Sequence, residues 1–228
     1  MSRLTDLDDP RGIVFDLDGT LVDTVETRIE SWLATFREVG IPAEREHVAR
    51  LIGSDGKRLA REVAQVAGRP IGVDRAEAID RRAGELYDQL NTNPRPLPGA
   101  RNLLVALAGS RLAWAIATSS RAEQVGASVR ALHLPRPPRI VDGSHVEHAK
   151  PAPDLLLLAA RQLELPAHAC WYVGDSTWDV QAAQAALMIA VAVPYGAATS
   201  RTLEHAGAQA VTTLRSLQGD LKRRALIA

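Results

Sequence analysis

Two carboxylates, Asp16 and Asp18, stand at the end of the apolar run Gly12-Ile13-Val14-Phe15 and are the first groups in the chain equipped for chemistry. Alternate side chains of an extended segment share a face, so the two acids point together while Leu17 turns to the core. Gly19 follows and lets the backbone turn where a side chain would obstruct it. Such a pair can serve a metal, a nucleophile or an acid–base couple. A lone Asp-x-Asp is more often a polar loop after a buried strand, so the case rests on what else the chain supplies.

It supplies three further groups, two of them just after a predicted strand and the third, Lys150, after the polar loop that follows a possible short strand at 140–141. Thr118, Ser119 and Ser120 follow an apolar segment at 112–117. Hydroxyls and backbone N–H groups at a helix start bind phosphate, and they also cap helices. Lys150 stands in Lys150-Pro151-Ala152-Pro153-Asp154. It is one of three lysines, with Lys57 and Lys222, in a chain that otherwise uses arginine. A compact ammonium against that habit suits a site needing a point charge. Gly174-Asp175-Ser176-Thr177-Trp178-Asp179 follows a strand predicted at 170–173. Asp175 would sit at its tip, with Asp179 one helical turn on and on the same face. Acids there also complement the helix dipole. Acids hold Mg²⁺ through oxygen, and a lysine with a hydroxyl holds a phosphoryl group. Jointly this is equipment for phosphoryl transfer.

The elements that position these groups are legible from hydrophobic periodicity. Ile29, Trp32, Leu33, Phe36 and Val39 recur at helical spacing, and Gly40 and Pro42 end that helix. From 43 to 91 only amphipathic helices are predicted, around Glu46–Leu51, Arg58–Ala67 and Arg75–Leu90. The proline-rich stretch 91–99 reads as a linker. Beyond it, helices alternate with strands near 112–117, 140–141, 170–173, 189–193 and 210–211. That alternation implies an α/β fold with a Rossmann-like parallel sheet covered on both faces, where ligands bind beyond the carboxyl ends of the strands.

Composition narrows the classes. The 228 residues carry zero formal net charge, which argues against a nucleic-acid binder or a polybasic membrane binder. The basic run Lys222-Arg223-Arg224 reads as a solvated helix end, and residues 1–10 as a loose lead-in. Cys170 is the single cysteine, so no internal disulfide forms and a reducing compartment is implied. With an acidic N-terminal stretch and no long apolar run, a cytoplasmic protein is expected. The absence of a long heptad pattern points to a monomer or a weak homodimer.

The sequence resembles the haloacid dehalogenase superfamily, in particular its capped phosphatases of the phosphoglycolate phosphatase and β-phosphoglucomutase-like group. Phe15-Asp16-Leu17-Asp18-Gly19-Thr20-Leu21-Val22-Asp23 matches the first family motif, and Thr118, Lys150 and Gly174–Asp179 fall at the second, third and fourth. The resemblance implies a catalytic core of residues 1–23 and 97–228 with a helical cap domain of residues 24–96. It implies a Mg²⁺-dependent phosphatase acting on a small phosphorylated metabolite, phosphoglycolate or a sugar phosphate. Asp16 would be the nucleophile and Asp18 the acid and base. Thr118, Ser119 and Lys150 would grip the phosphoryl group, and Asp16, Asp18 through its main-chain carbonyl, Asp175 and Asp179 would form the metal site. Arg28 and Lys57 are candidates for the rest of the substrate. A sugar-phosphate mutase is the alternative; those enzymes carry a histidine where this chain has Arg28, and an arginine shortly after the cap glycine, here Gly53. A non-catalytic phospho-ligand-binding protein is the alternative of another class. His145, Glu147 and His148 lack a completing ligand in sequence and read as a polar loop leading to Lys150.

Overall fold

The computed structural model describes residues 4–196 and 198–228. The opening apolar run folds as β1 (Gly12–Phe15), buried along its whole length. A short strand, β2 (Val22–Asp23), leads into four helices: α1 (Val25–Glu38), α2 (Arg45–Leu51), α3 (Gly56–Val66) and α4 (Val73–Leu90). Next come β3 (Arg95–Pro96), α5 (Ala100–Ala108), β4 (Ala113–Ala117), α6 (Ala122–Ala131) and β5 (Ile140–Val141). The chain continues through α7 (Asp154–Gln162), β6 (Cys170–Gly174), α8 (Thr177–Ala185) and β7 (Ile189–Ala192). It closes with α9 (Ser200–His205), β8 (Ala210–Val211) and α10 (Leu214–Arg223).

Six strands form one sheet in the order β5-β4-β1-β6-β7-β8, every pair parallel. β1 is therefore central and must be apolar on both faces. Ile13, Phe15 and Leu17 join one core layer, with Leu103 and Leu107 of α5 and Leu217 of α10. Val14 joins the other, with Leu155 of α7 and Val180 of α8. Phe15 lies opposite Ile116 on one side and Val173 on the other. This register brings the residues after β1, β4 and β6 to one edge of the sheet.

The four inserted helices bury an apolar cluster of their own. Ile29, Trp32 and Phe36 line one face of α1 and meet Val48, Leu59 and Ile79. Trp32 and Phe36 stack with centroids 5.6 Å apart. Among the described residues, no helix is long and apolar enough to cross a membrane.

The structure differs from the sequence reading in three places. The stretch 91–99 is more than a linker, because Arg95 pairs with Asp23 and Pro96 with Val22 in an antiparallel ribbon. A two-residue strand leaves no periodicity to detect, and proline is tolerated in it because the ribbon has only edges. Residues 4–10 are not loose: Leu4 and Leu7 pack against the core, and the guanidinium of Arg224 donates to both their carbonyls. Residues 1–3 lie outside the described residues. Lys222 and Arg223 are exposed as expected, but Arg224 has only 14% of its side chain exposed, paired with Asp9 and Asp220 and lying 5.4 Å over the Trp171 ring.

Phe36 is fully buried in the helical insertion, whereas Val66 is 69% exposed. Phe36→Ala is expected to lower stability by about 3–5 kcal/mol, and Val66→Ala by no more than about 0.5 kcal/mol. Urea denaturation of both variants checks this; equal effects would contradict the packing described.

Candidate active site

Asp16 ends β1 where its backbone N–H donates to the Val173 carbonyl at 2.8 Å, fixing it beside the end of β6. Its Oδ1 accepts from Lys150 Nζ at 2.6 Å. The same ammonium donates to Asp179 Oδ1 at 2.8 Å, and the Lys150 side chain is only 1% exposed. Tyr172 OH also donates to Asp179 Oδ1, at 2.9 Å. The other oxygen of Asp179 accepts from the Ser176 hydroxyl at 2.6 Å and from its backbone N–H at 3.0 Å. Asp179 thus serves both as part of the capping box that starts α8 and as a fixed counter-charge for Lys150.

Asp175 accepts from the Thr20 hydroxyl at 2.9 Å. Two glycines make room for its carboxylate: a Cβ on Gly19, at φ +79°, or on Gly196 would run into it. Carboxylate oxygens of Asp16, Asp175 and Asp179 all lie within 4.8 Å of one another. Burial, opposed by Lys150 and reinforced by Asp179, pushes the Asp16 carboxyl up to about 7. Burial, then Asp179 and Asp16, raise Asp175 well above the carboxylate range. Asp179 sits below that range, because Lys150 and Ser176 outweigh its burial. Asp16 and Asp175, buried and crowded until they resist ionising, with the ionised Asp179 beside them, are an oxygen donor set that a hard divalent cation satisfies.

The Asp18 side chain turns away from this cluster. Its oxygens accept from Arg28 Nη2 at 3.0 Å, Thr24 Oγ1 at 2.6 Å, Tyr87 OH at 3.0 Å and the Ser120 hydroxyl. Burial alone would raise its pKa; Arg28 and these hydroxyls more than offset that and hold it below the usual range. Arg28 also donates to Gln124 and lies over the Tyr87 ring.

A cavity of about 420 Å³, in the range of small-molecule sites, opens between the sheet edge and the helical insertion. Asp16, Asp18, Thr118, Ser119, Lys150 and Asp175 line its floor, and Arg28 and Lys57 line its walls. Asp179 lies behind Lys150 rather than on that wall. Cap-to-core contacts close over it: Asp55 N–H donates to the Lys150 carbonyl at 2.9 Å, and Trp178 Nε1 to the Arg50 carbonyl at 3.1 Å. Sequence reasoning missed Tyr87, Tyr172 and Thr20. Thr20 lies inside the first motif, so position was a usable signal; the two tyrosines read simply as apolar helix and strand residues.

A family model described as haloacid dehalogenase-like hydrolase matches residues 13–193. The chain belongs to the haloacid dehalogenase-like hydrolases. Within that family it is an enzyme, a phosphatase. A phosphoglycolate phosphatase of Pseudomonas fluorescens is 32% identical over 91% of this chain and 78% of its own length. A probable phosphatase, IndB, of Dickeya dadantii is 30% identical over 87% of each chain. The crystal structure of a hydrolase from Pseudomonas syringae superimposes with a TM-score of 0.87 at 31% identity, covering 93% of this chain and 98% of that one.

Among the described residues, Lys150 is the sole ammonium facing Asp16 and Asp179, so its loss leaves buried carboxylates without a counter-charge. Lys150→Met is expected to cost about 3–5 kcal/mol of stability in metal-free protein. Denaturant titration with a chelator present measures it, and a loss below about 1 kcal/mol would refute this account of the pair.

Proposed function

We propose that this haloacid dehalogenase-like hydrolase releases phosphate from a small phosphorylated metabolite, a phosphoglycolate- or sugar-phosphate-type ester, through an aspartyl phosphate on Asp16. The observation that carries the reading is the set of Asp16, Lys150 and Asp175 at one sheet edge, beneath a cavity that Asp18 also lines. Residues 24–96 act as a cap over a core of residues 1–23 and 97–228.

Asp16 attacks phosphorus in line with the ester oxygen; the carboxylate–phosphorus bond forms as the bond to the leaving oxygen breaks. Asp18 hands a proton to that oxygen, so the alcohol departs neutral. In the second half Asp18 takes a proton from water, whose oxygen attacks phosphorus and frees Asp16 as phosphate leaves. The contacts from Arg28, Thr24, Tyr87 and Ser120 favour ionised Asp18, the form the second half needs; the first half draws on the minor protonated form. Lys150 and Thr118 hold phosphoryl oxygens. Asp16, the main-chain carbonyl of Asp18 and Asp175 would hold Mg²⁺, with Asp179 in support. When bound, that ion supplies the positive charge that lets a carboxylate approach a phosphate dianion. Splitting the displacement in two lowers each barrier. Arg28 and Lys57 border the space left for the rest of the ester.

Phosphate release from a panel of esters is expected to require added Mg²⁺, to stop with a chelator, and to disappear in Asp16→Asn. Undiminished turnover by that variant would overturn the mechanism. Asp18→Asn is expected to slow hydrolysis of alkyl esters by about 10²–10⁴-fold. In kcat/KM, which reports formation of the aspartyl phosphate and not its shared hydrolysis, it should spare aryl esters more, because their leaving groups need no proton; equal losses of kcat/KM on both would remove Asp18 from the acid role.

A further inference from the structure

The cap-side wall of the cavity carries a charge arrangement that the hydrolytic steps do not use. Arg121, ahead of α6, reaches across to α4, where its Nη2 donates to Glu77 at 2.6 Å and Asp80 at 2.7 Å. Lys57 Nζ lies 3.9 Å from Glu77. Arg28 is committed to Asp18, Ser120 and Gln124. Every cation on this wall is therefore already matched to a carboxylate, while Asp55 and Glu147 add two more acids to the lining. Burial, with Asp55 and Glu77 nearby, keeps the Asp80 carboxyl above its usual range despite Arg121. Asp80 seats against Gly56, where any Cβ would collide with its carboxylate. The wall is built to hold acids facing the ligand.

A substrate bearing its own carboxylate meets like charge here, and among the described residues each cation that could receive it is already shared with an acid. Hydroxyl groups meet acceptors instead: carboxylate oxygens take hydrogen bonds from them, and Arg121 keeps those oxygens in place. We infer that the preferred substrate is a phosphate monoester of a neutral, hydroxyl-rich alcohol, a sugar or polyol, and that Glu77, Asp80 and Arg121 form the element that selects it over carboxylate esters. This rests on the phosphatase reading above.

The test compares kcat/KM for fructose 1-phosphate, glucose 6-phosphate and sorbitol 6-phosphate with that for 2-phosphoglycolate and 3-phosphoglycerate. p-Nitrophenyl phosphate serves as a reference ester with neither feature, and all assays use full-length Mg²⁺-loaded protein. The best sugar or polyol ester is expected to exceed both carboxylate esters by at least about tenfold. Asp80→Asn and Glu77→Gln each release Arg121 in part, and should move the ratio towards the carboxylate esters by about tenfold, mainly through KM. Arg121→Gln leaves the two acids without their shared cation and should lower kcat/KM for the carboxylate esters further, so the inference remains testable if one acid variant fails to fold. Equal or better turnover of 2-phosphoglycolate by wild type, or variants that change both classes alike, would overturn it. No hydrolysis of p-nitrophenyl phosphate or any other ester would instead overturn the phosphatase reading itself, and the inference with it.

Discussion

A single ammonium held between two buried carboxylates organises this molecule's site. Lys150 bridges Asp16, at the end of one central strand, and Asp179, in the first turn of the helix that follows another. Bringing these charges out of water is costly, and their attraction repays that only with good geometry and every remaining lone pair satisfied. The second condition explains the outer residues. Ser176 and Tyr172 fix Asp179, Asp179 fixes Lys150, and Lys150 fixes Asp16. The Asp16 carboxylate ends up in one orientation through a chain of partners, of which Asp179, Ser176 and Tyr172 lie off the cavity lining.

Topology delivers those partners. Parallel strands in the order β5-β4-β1-β6-β7-β8 bring every carboxyl end to one edge, so residues far apart in sequence meet without a long loop. The β2–β3 ribbon draws the two ends of the helical insertion together, letting α1 and α4 hang over the edge as one unit. From there Arg28 and Tyr87 reach Asp18. The insertion and the sheet therefore share a catalytic candidate, and the closed arrangement is held by the same side chains that shape the cavity.

Much of this was legible in the sequence, because Asp16, Thr118 and Asp175 each follow a strand whose apolar run is unmistakable. Asp16, Thr118 and Asp175 could be placed at one edge from the alternation of strands and helices, whereas Lys150, beyond a polar loop and a two-residue strand, leaned on its resemblance to the third family motif. The β2–β3 ribbon could not, since two residues per strand carry no pattern. The docking of Leu4 and Leu7 depends on Arg224, some two hundred residues away and within a run that composition reads as solvated. Tyr87 illustrates a deeper limit. On α4 it is one more apolar position at helical spacing; its hydroxyl matters only because the helix lies against the sheet edge, a tertiary fact. The pairing of Arg28 with Asp18 and of Arg121 with Glu77 and Asp80 is of the same kind.

The proposed hydrolysis turns on Asp16 carrying the phosphoryl group. The most direct measurement is acid-quenched mass spectrometry of the protein during turnover of a good ester, with the modified peptide located. A phosphoryl group on the peptide containing Asp16, rising and decaying at rates that match phosphate release, is the predicted result. Phosphate release with no phosphorylated protein at any time, under conditions where a synthetic acyl phosphate survives the quench, would contradict it and make Asp16 a partner of water rather than the nucleophile.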